Sequence, residues 1–146
     1  MGKTLIICTS VSHGNTRRVA EAMGEVLEAP VVEPEEVDGV DGYDLVGFGS
    51  GIFTQRFHPR LRAFVSSLPP RRGRAFVFAT SGLPPRLGPM VRQLEDKGLE
   101  VADTFSCRGF DTWAPFRLVG GIRKGRPDDR DLAAARAFAK NLKHAV

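Results

Sequence analysis

Residues 9–16 read Thr-Ser-Val-Ser-His-Gly-Asn-Thr, and four of these eight, Thr9, Ser10, Ser12 and Thr16, carry a hydroxyl. Gly14 lets the backbone turn tightly, and an amphipathic stretch follows at once. The end of the segment therefore falls where a helix presents unpaired backbone N–H groups. Hydroxyls and such N–H groups together make a site for a phosphate dianion without a lysine. Helix capping accounts for one such hydroxyl. It does not account for four.

Two other segments carry similar residues. Gly47-Phe48-Gly49-Ser50-Gly51 is rich in glycine, but its Gly-x-Gly-x-Gly spacing is not that of a dinucleotide fingerprint, and no helix opens directly after it. Close approach of the backbone to a flat ring is the reading these glycines suggest. Ala79-Thr80-Ser81-Gly82 closes another apolar run. No Walker-type phosphate loop is present. His13 and His58 have no acid with a legible link to either, so no Ser–His–acid arrangement emerges. His58 precedes Pro59 and reads as a helix flank. Carboxylates and histidines form no cluster of metal-ligand type. The two cysteines, Cys8 and Cys107, match no zinc or redox spacing and read as thiols.

The elements that must position these segments follow from hydropathy. Five apolar runs, 4–8, 30–33, 44–49, 75–80 and 99–106, are near-continuous, as strands buried on both faces should be. Between them, 16–27 has Val19, Ala20, Met23, Val26 and Leu27 at helical spacing. Pro59 opens a second helix, ended by Pro69-Pro70, and Pro89 a third, stopped by Gly98. Residues 128–142 form the last, with acids first and lysines last. Only a single helical turn fits between Glu33 and Asp44. Strands alternating with helices predict a parallel sheet covered on both faces. In such sheets ligands bind beyond the carboxyl ends of the strands, where all three segments fall. The 146 residues suit a single domain, 1–146.

Taken in order, these segments resemble those of the flavodoxin family. Ser10-Val11-Ser12-His13-Gly14-Asn15-Thr16 is similar to its phosphate loop, with His13 inserted before the glycine. Residues 41–51 resemble the third strand and first flavin loop, 79–82 the second flavin loop, and 105–109, with the following 110–116, the segment after the fifth strand. The resemblance implies an α/β fold, a flavodoxin-like doubly wound five-stranded parallel sheet of order 2-1-3-4-5 with helices on both faces. It implies FMN as cofactor. The phosphate falls to Ser10, Ser12, His13, Gly14, Asn15 and Thr16, and the ring to Ser50, Gly51, Ile52 and Phe53. Thr80, Ser81 and Gly82, then Cys107, Gly109 and Trp113, complete the site. Gly51 is the glycine whose peptide would turn when the flavin is reduced. Phe53 would pack on one ring face, and Trp113 is the candidate for the other. No catalytic side chain and no metal are implied.

Charge sets the chain apart from acidic flavodoxins. Residues 1–50 hold 3 Lys and Arg against 9 Asp and Glu, and residues 51–146 hold 18 against 8. Arg56, Arg60 and Arg62 follow the first flavin loop, and Arg86 and Arg108 the other two. Arginines near the ring favour its reduced, anionic form, so a less negative second potential is expected. No basic run is interleaved with aromatics, and nucleic acid is not expected as a partner. No apolar run spans a membrane and no export signal is legible, which points to the cytoplasm. The expected function is electron transfer between partner proteins through bound FMN, in a monomer or homodimer. The alternative is an FMN-dependent oxidoreductase for a small anionic or aromatic substrate, with the loop 106–117 over the flavin. A flavin-free partner module is the third reading.

Overall fold

Successive side chains of a strand point to opposite faces of its sheet. In the computed structural model, β1 (Thr4–Thr9) accordingly sends Leu5 and Ile7 to one side and Ile6 and Cys8 to the other, all four fully buried. The structure describes residues 3–9, 15–53, 56–81, 86–108 and 129–145. β1 lies between β2 (Val31–Val32) and β3 (Leu45–Phe53). β3 is followed outward by β5 (Gly73–Ser81) and β6 (Leu99–Arg108). All four pairings are parallel, and these five strands taken alone run in the expected order 2-1-3-4-5.

A further short strand, β4 (Arg56–Phe57), turns back antiparallel on the tip of β3. At two residues it leaves no periodicity to read. β6 is also longer than its apolar run suggests. It pairs with β5 as far as Ser81↔Arg108, so Cys107 is a strand residue opposite Thr80 and not part of a loop. Between the pairs Ala75↔Val101 and Phe76↔Asp103, Ala102 is an extra residue. This bulge shifts the alternation of β6, so that Phe105 and Cys107 fall on the same face as Phe76 and Phe78.

The helices fall on both faces, as expected. On one side α1 (Asn15–Leu27) and α4 (Asp129–Ala145) pack Val19, Ala20, Met23, Ala135, Phe138 and Leu142 against Ile6, Cys8, Phe76 and Phe78. Phe138 meets the edge of Phe76 at a centroid distance of 6.0 Å and Phe105 at 5.4 Å. On the other side α2 (Pro59–Ser67) and α3 (Gly88–Asp96) pack Leu61, Val65, Met90 and Leu94 against Leu5, Ile7, Val46, Phe48 and Val77. The single turn foreseen after Glu33 is a 3-10 turn, Pro34–Glu36, closed by reciprocal bonds between Glu33 and Glu36.

α1 ends on Glu28 in the left-handed region, φ 54°, while the amide of Ala29 donates to the carbonyl of Gly24 at 3.0 Å. No helix among the described residues is long and apolar enough to cross a membrane.

A polar cluster at the carboxyl ends of the central strands

The three central strands finish side by side, with Thr9 opposite Ser50 and Gly51 opposite Thr80. Alternation splits these residues between the two faces. Thr9 and Ser50 continue the rows of Leu5 and Ile7 and of Val46 and Phe48, on the side of α2 and α3. Gly51 and Thr80 continue the opposite rows, under the start of α1.

On the α1 side, the side-chain oxygens of Thr16 and Thr80 share a hydrogen bond of 2.7 Å, and both residues are buried. A Cβ built on Gly51 would lie 3.6 Å from the Thr16 oxygen and 4.0 Å from that of Thr80. A methyl at Gly51 would thus make ordinary van der Waals contact with two hydroxyls and clash with neither.

The two preceding glycines are a different matter. A Cβ on Gly47 would lie 2.3 Å from the ring of Phe76, and one on Gly49 would lie 2.1 Å from that of Phe78. These glycines are seats for core phenyl rings of the adjacent strand. The expectation that Gly47 and Gly49 let the backbone approach a flavin is corrected: Phe76 and Phe78 hold those positions.

On the α2 side, the Ser50 hydroxyl is wholly buried, accepts the backbone N–H of His58 at 2.9 Å, and donates to the carbonyl of Gly51. Turning the Gly51 peptide would break that bond, which is worth about 0.5–1.5 kcal/mol net. The Thr9 hydroxyl, on the same face, is 1 % exposed and has no hydrogen-bond partner among the described residues. A buried hydroxyl in that condition costs about 1–3 kcal/mol. It is the first hydroxyl of the sequence segment 9–16 read as a phosphate site.

His58 is the N-cap of α2, as its position before Pro59 suggested. Its Nδ1 accepts the amide of Arg60 at 3.0 Å. Burial, with Arg60 second, lowers its pKa below the ordinary 6.5. Arg60 itself does not stand as an uncompensated charge. Its guanidinium holds both oxygens of Glu35 at 3.0 Å and reaches Glu33 at 3.3 Å. Glu33 also meets Arg17 of α1 at 3.8 Å. Arg62 donates its Nε to the carbonyl of Phe57 at 3.0 Å. The expected effect of Arg60 on a flavin is thereby reduced, because nearby carboxylates offset it. Burial pushes the Cys8 thiol up to about 12, which makes it inert at neutral pH. Neither cysteine is in a disulfide, as read.

Of the residues assigned to the site from sequence, Thr16, Ser50, Gly51, Thr80 and Cys107 are brought to this edge of the sheet. Asn15, Ile52, Phe53 and Ser81 are placed there by their backbones. Ser10, Ser12, His13, Gly14, Gly82, Gly109 and Trp113 lie outside the described residues, as does most of 106–117. Thr9 and His58 belong to the cluster and were not assigned to it. Thr9 was counted among the four hydroxyls of the first segment, a signal that would have included it. Among the described residues no group of three His, Cys, Asp or Glu is arranged to hold a metal.

A family model described as a flavodoxin domain matches residues 6–109. The chain belongs to the flavodoxin family. An uncharacterized protein of Methanocaldococcus jannaschii is 34% identical over 146 residues, covering 96% of this chain and 97% of that one. Among solved structures, a flavodoxin from the domain Archaea superposes with a TM-score of 0.73 at 18% identity, covering 98% of this chain and 97% of that one. An NADH:FMN oxidoreductase in its apo form gives 0.70 at 15% identity, over 100% and 90%. A Lactobacillus acidophilus flavoprotein in complex with FMN gives 0.60 at 17% identity, over 73% and 93%. At these identities the three superpositions establish the flavodoxin-like fold. This flavodoxin-family chain shares it with proteins described as a flavodoxin and as an enzyme, so the fold leaves the activity open.

Proposed function

We propose that the chain binds FMN at the carboxyl ends of β1, β3 and β5 and passes electrons between partner proteins in the cytoplasm. One observation carries the binding reading. The carboxyl ends of these strands bring together a buried hydroxyl pair (Thr16 and Thr80) and a glycine beneath it (Gly51), with a further buried hydroxyl (Thr9), unbonded among the described residues, on the other face of the sheet. That donor set fits a polar, phosphorylated chain attached to a flat ring. Thr16 and Thr80, with the segment 10–16, would hold the phosphate and sugar-alcohol portion. Gly51 and the end of β3 would border the ring. Bound there, FMN supplies one- and two-electron redox chemistry. The protein's part is to exclude water, orient the ring and set its potential.

The fold likeness to an archaeal flavodoxin over 98% of this chain and 97% of that one supports the carrier. The fold likeness to an NADH:FMN oxidoreductase keeps the enzyme as the alternative. Purified protein is therefore expected to be yellow or to quench the fluorescence of added FMN. On reductive titration it is expected to take up electrons in two resolved steps. Unchanged fluorescence on adding FMN overturns the binding reading. A single two-electron step together with turnover of NADH favours the enzyme.

A further inference from the structure

Gly51 borders the proposed ring site, and its carbonyl is already engaged. The antiparallel register Ile52↔Phe57 and Phe53↔Arg56 brings His58 opposite Gly51 at the next rung. There the Ser50 hydroxyl is interposed. It takes the N–H of His58 and gives its proton to the Gly51 carbonyl. Ser50 is 0 % exposed on a sheet face it shares with Leu5, Ile7, Val46, Phe48, Val77 and Ala79, with Thr9 as its polar neighbour on β1. A hydroxyl is costly in such a place unless it is bonded, and an alanine would suit the packing. Both of its bonds go to backbone groups at the rim of the proposed site.

We propose that Ser50 is a positioning residue for the flavin ring: its hydroxyl clasps the Gly51 carbonyl to the start of α2 and sets the end of β3 before the cofactor arrives. The clasp continues through the molecule. His58 caps α2 at the amide of Arg60, Arg60 reaches Glu33 and Glu35, and Glu33 reaches Arg17 near the start of α1. The ring side of the site is thus tied to the helix that follows the phosphate side. Fixing a loop in its bound conformation raises affinity by lowering the entropy lost on binding. The proposal rests on the FMN reading above.

The test compares wild type, Ser50→Ala and Ser50→Thr in the full chain. FMN affinity is read from flavin fluorescence, inorganic phosphate affinity from competition with FMN, and the clasp from amide hydrogen exchange at His58. Ser50→Ala is expected to weaken FMN about tenfold, the equivalent of one broken hydrogen bond. It should leave phosphate within about twofold, since the phosphate side keeps its hydroxyls. Exchange at His58 should accelerate, and Ser50→Thr should restore wild-type behaviour. If Ser50→Ala does not fold, Ser50→Cys, which keeps the volume and weakens both bonds, is held to the same criteria. FMN and phosphate weakening together would make Ser50 merely structural and overturn the proposal, as would FMN binding equal to wild type. Wild type taking up no FMN removes the underlying reading, and the proposal with it. That result is visible in the wild-type arm alone.

Discussion

Thr16 and Thr80, one at the start of a helix and the other at the end of a strand, join their hydroxyls at 2.7 Å across 64 positions of sequence. Both are buried in the cofactor-free protein, and among the described residues each hydroxyl's hydrogen bond is to the other. Thr80→Val keeps the shape and strands the Thr16 hydroxyl. It should destabilise the cofactor-free protein by about 1–3 kcal/mol. Thr16→Val/Thr80→Val together should recover part of that loss, because two apolar groups then face each other. Urea denaturation of the three variants gives the coupling directly.

The glycines of β3 should respond unequally to alanine. Gly49→Ala drives a methyl into the Phe78 ring, and overpacking of this kind costs about 1–3 kcal/mol. Gly49→Ala/Phe78→Leu should return some of it. Gly51→Ala meets nothing closer than 3.6 Å among the described residues and should leave the melting temperature nearly unchanged while weakening FMN. Thermal melts of the cofactor-free proteins, set beside flavin titrations, separate the two behaviours. Equal loss of stability at both positions would contradict the distinction drawn between them.

Glu28 closes α1 in a conformation that side chains rarely adopt, φ 54°. Glycine adopts it without steric cost, though it also loosens the unfolded chain. Glu28→Gly should stabilise the protein by about 0.5–1 kcal/mol. The measurement is the denaturation midpoint at unchanged slope.

The pH dependence follows from His58. Its pKa is lowered on folding, so the unfolded chain takes up the proton first as pH falls. The stability it contributes is whole above the ordinary value of 6.5. It is lost as pH drops from there through the lowered folded value, when a protonated Nδ1 can no longer accept the Arg60 amide. His58→Asn keeps a capping acceptor without the titration. Melting curves between pH 8 and 5 should therefore fall more steeply for wild type than for this variant (about pH 8 to 5 brackets the histidine range).

The strands and helices were legible because burial on both faces leaves continuous apolar runs, and amphipathic helices leave a 3.6-residue repeat. The sheet edge that carries the cluster was legible for the same reason, since alternation of strand and helix fixes where loops collect. What could not be read depends on pairing register. In sequence Gly47, Gly49 and Gly51 look alike. Only the residue opposite each, Phe76, Phe78 or Thr80, tells a core seat from an open one. The Ser50–His58 bond depends on β4, a two-residue strand without periodicity. Arg60 could be placed near a flavin, but its pairing with Glu33 and Glu35 spans more than twenty residues and leaves no local signal.

The ion pairs that cross the chain bear on its uneven charge. Arg60 meets Glu33 and Glu35, and Arg136 meets Glu25, so basic residues of the later chain answer acids of the first fifty. Each pair is partly exposed and contributes little by itself. Together they offset part of the charge imbalance between the early and later segments within the fold. A separately produced piece of either would carry that imbalance unanswered, and would be more adhesive toward oppositely charged surfaces than the folded whole.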